Sequence, residues 1–341
     1  MNPQAFLANT TNKDAFIVLL IESFQANGLI VTQASGDADT LIVDTALQLA
    51  STGHHATVVA DDTDILVLLV YHWKASMAPV FMKREPRGMF SGHMVSIPLV
   101  VNSLGEQSVS RLLTVHALSG CDTTSAVYGH GKASALKQLS TDSGISHLFS
   151  IMSCETASTT DVGQAVSHLV VLLYGGRVGV DSMNYQRYTT YMRLCTTSKG
   201  SICPEQLPPT ERALYFHSLW VHLQVIQWQC LSTDVLAAND WGWELSYGKF
   251  LPVKTDQPAA PDDLLRVIRC RCKVSARNTC GSNLCSCRRN GLKCLSACSD
   301  CHGNDCLNSE RYVDVDGSSS EGEQDEDKIF MEGDLTGVID E

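Results

Sequence analysis

Between residues 29 and 69 the chain alternates short apolar runs with groups of acids. The apolar runs at residues 29–31 and 57–60 each lead directly into aspartates, and residues 40–50 between them place apolar side chains at helical spacing. This order predicts strand, acidic loop, helix, strand, acidic loop, which is a βαβ unit. Because open α/β sheets bind ligands at the carboxyl ends of their strands, we expect the acids to share one edge.

A third acidic loop follows a predicted helix over residues 106–118. The acids that we expect to meet are Asp37, Asp39, Asp62, Asp64 and Asp122. Carboxylates held close together repel one another unless a cation neutralises them, and all-oxygen ligation suits Mg²⁺ or Mn²⁺. The alternative is that these aspartates only cap helices or stabilise turns. Two such loops on neighbouring strands, joined by a third acid, favour the metal site.

Other elements around this unit can be predicted from the same periodicity. Residues 12–26 form a helical pattern, and residues 65–71 are apolar throughout, which fits either a short buried helix or a longer strand. Two further short strands are predicted at residues 80–83 and 93–98, separated by a turn with Pro and Gly. The N-terminal part is therefore expected to be α/β.

The middle of the chain, residues 141–254, is predicted to be mostly helical. A Pro-rich entry and a threonine cap at Thr210 predict one long helix, with a loop containing Trp241 and Trp243 packed on it. Residues 184–193 mix tyrosine with arginine. That pattern fits either a nucleic-acid surface or a helix covering a core, and the second interpretation is favoured.

A glycine-rich turn follows the third acidic loop. Gly129 and Gly131 flank one histidine, and Lys132 opens a helical pattern. Free backbone amides at a helix N-terminus can hold a phosphate, so these residues are candidates for nucleic-acid binding.

Nine of the 14 cysteines lie close together near the C-terminus. They are Cys270, Cys272, Cys280, Cys285, Cys287, Cys294, Cys298, Cys301 and Cys306. Few apolar residues separate them, so metal ligation must supply the folding energy of this segment. Disulfides in a secreted protein are disfavoured by the odd count and by the lack of a signal-peptide pattern. The segment is predicted to bind zinc.

The net charge of −12 is concentrated in the tail. From residue 313 onward the chain contains eleven acidic residues and one lysine, so the rest of the chain has a net charge of about −2. The tail is predicted to be disordered, and Ser318–Ser320 beside glutamates fit an acidophilic kinase site. No apolar run is long enough to span a membrane, so a membrane is not an expected partner and a nuclear or other intracellular location is expected.

The acidic motifs and the glycine turn together resemble the flap endonuclease-like (PIN-like) nuclease superfamily. The resemblance rests on the segments DADT, ADDTDILVL, SGCDTTS and YGHGKASAL, which lie between residues 37 and 136. The resemblance implies a parallel sheet flanked by helices, with Asp37 and Asp39 as paired acids and Asp122 as the last acid. It makes Asp62 and Asp64 the Asp-X-Asp motif. The glycine turn would belong to a helix–hairpin–helix that grips duplex phosphates.

This chain departs from that superfamily in two ways. It has aspartate where the paired acids are usually glutamate, which shortens two ligands by a methylene. The family's first strand carries a further essential aspartate, and no such strand precedes residue 29, so we expect a fragment or a degenerate member. The alternative function is a catalytically inactive DNA-binding protein of mobile-element origin.

The cysteine segment resembles the tesmin-type CXC domain. Cys285-Ser286-Cys287, Gly291 and the closing Cys306-Leu307-Asn308 carry the resemblance. It implies three zinc ions with some bridging sulfurs, and DNA binding. Family members usually have two such halves, whereas this chain has one. The cations that would contact phosphate are Lys273, Arg277, Arg288, Arg289 and Lys293.

The expected organisation has five parts. They are an incomplete PIN-like domain (1–140), a helical extension (141–254), a linker (255–265), a zinc module (266–309) and an acidic tail (313–341). The expected function is structure-specific, Mg²⁺- or Mn²⁺-dependent hydrolysis of DNA phosphodiesters. A zinc-stabilised protein-binding scaffold is a third possibility, which would lack salt-dependent DNA affinity.

Overall fold

The computed structural model describes most of the chain up to residue 309. The described residues are 6–34, 36–84, 92–140, 142–197, 204–232, 235–257, 268–274, 279–296, 298–304 and 306–309. The predicted tail with its kinase site lies outside them, as do Arg277, most of the linker and most of the turn after residue 84.

The N-terminal part is a small mixed sheet with helices, so the α/β prediction is confirmed at that level. The helices are α1 (Thr10–Ala26), α2 (Ala38–Ser51) and α3 (Thr63–His72). The strands are β1 (Ala56–Val59), β2 (Val80–Arg84) and β3 (His93–Ser96). β1 and β2 are parallel, whereas β2 and β3 are antiparallel. The apolar run at residues 65–71 is a buried helix, which connects the two parallel strands.

The predicted strand at residues 29–31 is wrong. Those residues have no regular structure, and Leu29 and Ile30 are 57% and 98% exposed. An apolar run forms a strand only where a neighbouring strand takes up its backbone hydrogen bonds, and no described strand lies beside this one. The described sheet therefore ends at β1 and contains one parallel pair.

Six further helices make up most of the described residues between 97 and 230. They are α4 (Ile97–Ser119), α5 (Lys132–Ser140), α6 (Ser146–Met152), α7 (Thr159–Leu173), α8 (Met183–Thr197) and α9 (Glu211–Cys230). α4 begins earlier than predicted, because Pro98 starts a helical segment that breaks at Gly105, where φ is 77°. Among the described residues, no helix is long and apolar enough to cross a membrane.

One cluster of buried apolar side chains extends from Val43 to Trp241. The long helix α9 is central to it and packs against both α7 and α4. As predicted, the segment around Trp241 packs on this helix, where Trp220 donates a hydrogen bond to the Gly242 carbonyl at 2.8 Å. The sequence did not reveal that a hairpin follows, formed by β4 (Trp243–Ser246) and β5 (Lys249–Pro252). α9 thus links the helical part to the N-terminal part.

Two histidines of α9, His217 and His222, are buried in this core. The His217 Nε2 lies 3.3 Å from the Leu118 carbonyl, and the His222 ring stacks on Trp241 at 4.3 Å. His222 lies near the Met152 carbonyl, yet neither of its ring nitrogens makes a well-formed hydrogen bond within the described residues. Burial lowers the pKa of both histidines to about 4.

This burial predicts a loss of stability in acid. Between pH 6.5 and about 4 each histidine is protonated in the unfolded chain but stays neutral in the folded chain. Each should therefore lower the free energy of unfolding by about 2 kcal/mol at pH 5. We expect His222→Phe to remove about half of this pH dependence. Urea unfolding followed by tryptophan fluorescence at pH 7 and pH 5 measures it. Equal pH dependence in the variant and the wild type would contradict the prediction.

Candidate metal centres

Helices α2 and α3 begin at the two acidic loops, each with a capping aspartate. The Asp37 carboxylate accepts from the Asp39 amide at 3.2 Å, and the Asp62 carboxylate accepts from the Asp64 amide at 2.9 Å. The capping interpretation is therefore correct for Asp37 and Asp62. In both loops the aspartate two residues further on lies in the first helical turn.

The acids also converge. Carboxylate oxygens of Asp39, Asp62 and Asp64 lie within 4.8 Å of one another. Opposite ligands of Mg²⁺ are about 4.2 Å apart at its usual bond length of about 2.1 Å, so these three side chains fit a small divalent cation after a minor adjustment. Residues from the two acidic loops therefore meet, as predicted, but not at the ends of two parallel strands, because the first predicted strand is absent from the described sheet.

Electrostatics connects Asp37 and Asp122 with that group. Burial first, and then the charges of Asp37, Asp62, Asp64 and Asp122, together raise the pKa of Asp39 to about 6. The pKa of Asp122 is also raised, first by burial and then by Asp64 and Asp62. The charges of the other predicted acids therefore act on both Asp39 and Asp122, which favours a bound cation.

Sequence reasoning missed His116, a buried residue near the end of α4. Its Nε2 lies 2.6 Å from the Asp64 Oδ1, and since a carboxylate only accepts, the imidazole donates. The ring also packs against Trp228 of α9, with centroids 5.5 Å apart. The contact fixes the direction of one Asp64 oxygen. The only sequence signal was a histidine at an apolar position of a helix.

The Asp122 loop is held by contacts on both sides. The Thr124 hydroxyl donates to the Ala117 carbonyl at 2.6 Å, and the Thr123 hydroxyl donates to the buried Gln224 of α9 at 2.6 Å. Gly120 has φ of 113°, and a Cβ there would lie 2.8 Å from the Ala126 backbone, so a side chain does not fit. The loop is thus fixed between α4 and α9.

The glycine turn lies next to this loop. Gly129 has φ of 79°, and Lys132 is the first residue of α5, as predicted. The Lys132 charge lowers the pKa of Asp122, so the ammonium lies on the side of the acidic cluster. Tyr174 anchors the turn, because its hydroxyl donates to the Tyr128 carbonyl at 3.2 Å and His130 packs on its ring.

The second centre is formed by the nine cysteines, eight of which are buried. Sulfur pairs Cys270–Cys280 and Cys285–Cys294 are 3.7 Å apart, and Cys287–Cys298 are 3.5 Å apart. A tetrahedral zinc with bonds of about 2.3 Å separates its sulfurs by about 3.8 Å. The spacing therefore fits zinc.

Four overlapping groups of four sulfurs include all nine cysteines. Cys270 and Cys294 each belong to three groups, whereas Cys272 and Cys306 each belong to one. Three tetrahedral ions need twelve ligand positions, so nine sulfurs suffice only if three of them bridge. The shared sulfurs are the candidates for bridging.

Backbone geometry and one amide support the cysteine cluster. Asn308 of the closing motif donates to the Cys294 sulfur at 3.4 Å and to the Leu292 carbonyl at 2.8 Å. Gly303 has φ of 66°, and a Cβ there would lie 2.4 Å from the Cys294 carbonyl oxygen. Both residues hold Cys294, and contacts of this kind orient metal ligands.

Cations surround this centre. Lys273, Arg288, Arg289 and Lys293 are exposed, with Arg288 and Arg289 on the short helix α10 (Ser286–Arg289). Arg269 and Arg271 are exposed too. These two were not among the cations predicted to contact phosphate, although they alternate with the first cysteines.

No family model matches this chain, and comparisons with curated proteins and with solved structures also found no match. The resemblances to PIN-like nucleases and to CXC domains therefore remain predictions.

Proposed function

We propose that this protein is a metal-dependent DNA phosphodiesterase with a zinc-stabilised DNA-binding module. The convergence of Asp39, Asp62 and Asp64 within 4.8 Å is the observation that carries the proposal. A divalent Mg²⁺ or Mn²⁺ bound there would activate water and stabilise the leaving oxygen. A nuclear or other intracellular location belongs to the same proposal.

The protein's own residues have distinct roles in this proposal. Asp39, Asp62 and Asp64 hold the cation, with Asp37 and Asp122 adding negative charge around it. His116 is a positioning residue that directs one Asp64 oxygen. Lys132 and the amides of the glycine turn bind a backbone phosphate beside the cluster. The exposed cations of the zinc module hold the DNA.

A cleavage assay tests this function. The zinc-loaded chain is incubated with flap, hairpin and single-stranded DNA in Mn²⁺, beside Asp62→Asn/Asp64→Asn. The double variant should cut about a thousandfold more slowly, because the metal supplies several kcal/mol of transition-state stabilisation. Asp44→Asn is the matched control, since Asp44 lies on α2 but bonds Gln48 at 2.7 Å. Equal cleavage by the wild type and the double variant would exclude the acidic cluster as the active site.

The alternative is a catalytically inactive DNA-binding protein. It is favoured by the capping bonds, since Asp37 and Asp62 already have a structural role that needs no metal. Under this alternative no substrate is cut in Mn²⁺, while chelation of zinc still abolishes DNA binding. The same assay, with binding measured in parallel, separates the two.

A further inference from the structure

Helix α8 turns a row of tyrosines toward solvent. Its buried residues are Met183, Gln186 and Thr190, three and four positions apart on one side. Tyr185, Tyr188 and Tyr191 are 53%, 61% and 46% exposed. The helix does cover the core, as the sequence favoured, but its aromatic residues do not take part. Three exposed tyrosines on one helix therefore need another explanation.

The exposed side of α8 has a spacing that suits stacked bases. Tyr185, Tyr188 and Met192 follow one another at three and four residues, which aligns them on one side of the helix, called the tyrosine face below. From first to last they span about 10 Å along the axis. Stacked bases repeat at about 3.4 Å, so the row has room for about three of them.

Charge favours a nucleic acid over an apolar protein surface. The sequence contains no aspartate or glutamate from residue 182 to residue 204, whereas it contains Arg187, Arg193 and Lys199. Arg193 is exposed on α8, two residues after Tyr191. Each tyrosine also carries a polar hydroxyl group. Aromatic faces bordered by cations are the usual platform for single strands.

Helix α8 lies between the two candidate centres, because contacts of its half-buried Arg187 lead toward both. On one side Arg187 and Tyr174 interact electrostatically, and Tyr174 anchors the glycine turn beside Asp122. On the other side Arg187 donates to the Pro208 carbonyl. Pro204, four residues earlier, is so close to Gly291 that a Cβ there would lie 2.8 Å from the proline ring. Gly291 follows Arg288 and Arg289 in the zinc module.

We propose that the tyrosine face of α8 binds single-stranded nucleic acid by base stacking, along a path between the acidic cluster and the basic zinc module. The inference rests on the proposed function for the two ends of that path. It adds that the strand is unpaired, because stacking on tyrosine needs bases that are not paired with a partner strand.

Fluorescence anisotropy tests this proposal. It measures binding of a labelled 15-nucleotide oligothymidine to the zinc-loaded chain without Mg²⁺ or Mn²⁺. Stacking energies per base correspond to a loss of about fivefold or more per tyrosine. Tyr185→Ala/Tyr188→Ala should therefore weaken binding by about 25-fold or more. Tyr185→Phe/Tyr188→Phe, which keeps the rings, should bind within about twofold of the wild type. The affinity of the Ala variant for blunt duplex DNA should equal that of the wild type.

Tyr247→Ala is the matched control, because Tyr247 is a fully exposed tyrosine in the hairpin turn. It should bind the oligonucleotide like the wild type. Unchanged tryptophan fluorescence and melting temperature show that the variants fold. Wild-type affinity in the Ala pair overturns the proposal, as does an equal loss for duplex DNA. A change in self-association without loss of oligonucleotide binding would also overturn it, and would assign the face to protein contact.

The outcome is independent of cleavage. If the Ala variant loses oligonucleotide binding although no substrate is cut, base stacking on the tyrosine face is supported and the phosphodiesterase proposal fails. If cleavage depends on Asp62 and Asp64 but the Ala variant binds normally, the phosphodiesterase proposal is supported and base stacking is excluded.

Discussion

Removal of zinc should unfold the cysteine module and leave the helical body folded. The cluster that holds the module consists of sulfurs, with Leu292 as the one other apolar residue packed against it among the described residues. Structural zinc supplies about 10–16 kcal/mol in small domains of this kind, far more than such a segment can gain from apolar burial. All five tryptophans lie in the body, at or before residue 243. Chelation should therefore release zinc and expose residues 268–309 to protease without changing tryptophan fluorescence.

The cysteines should differ in importance. Cys294 belongs to three four-sulfur groups and Cys306 to one. We expect Cys294→Ser to retain at most one zinc per chain, whereas Cys306→Ser should retain about two. Zinc is counted by elemental analysis under reducing conditions. Equal zinc content in the two variants would contradict the bridging role of Cys294, and one zinc in the wild type would contradict the three-ion cluster.

Zinc binding should also weaken in acid. Burial raises the pKa of Cys272 to about 11 and that of Cys287 to about 12, so without metal these thiols are protonated at neutral pH. Zinc must displace those protons, and each tenfold rise in proton concentration makes the displacement harder. The zinc affinity therefore falls as the pH is lowered.

The sequence was most informative where a local pattern also determines the contact. The pattern of acids directly before helical segments was sufficient to bring Asp39 and Asp62 together, although the strand predicted before the first acidic loop does not form. Both aspartates lie at the starts of adjacent helices. The cysteine cluster was predicted for a similar reason, since nine sulfurs in a short segment with few apolar residues have few other ways to be buried.

Contacts between distant elements could not be predicted in this way. His116 bonds Asp64 across 52 residues, and nothing near either residue encodes that pairing. The apolar run at residues 29–31 looked like a strand, but strand formation depends on a neighbour that the local pattern does not specify. In α8 the helical period was clear. It did not reveal that Met183 would face the core and Tyr188 the solvent, because both sides of the helix carry apolar atoms.

Replacing Asp39 by Asn should stabilise the metal-free protein and destabilise the metal-bound one relative to wild type. The folded pKa of Asp39, about 6, exceeds its ordinary value of 3.8 because of burial and the four neighbouring acids. At pH 7 the ionised carboxylate therefore opposes folding, and this cost disappears as the pH falls from 6 toward 4. Because the side chain is partly exposed, solvent screening reduces the gain from Asp39→Asn to about 1 kcal/mol.

Divalent metal should reverse the sign of the stability difference between Asp39→Asn and the wild type. At Mn²⁺ concentrations about 100-fold above the dissociation constant, the wild type gains about 2.7 kcal/mol, which the variant loses with its ligand. Thermal melts of both proteins at pH 7, with and without Mn²⁺, measure the crossover, and Asp44→Asn on the same helix should melt like the wild type in both conditions. Equal Mn²⁺ stabilisation of Asp39→Asn would place the cation elsewhere. A lower melting temperature for metal-free Asp39→Asn would mean that this carboxylate stabilises the apo fold, contrary to the repulsion among the five acids.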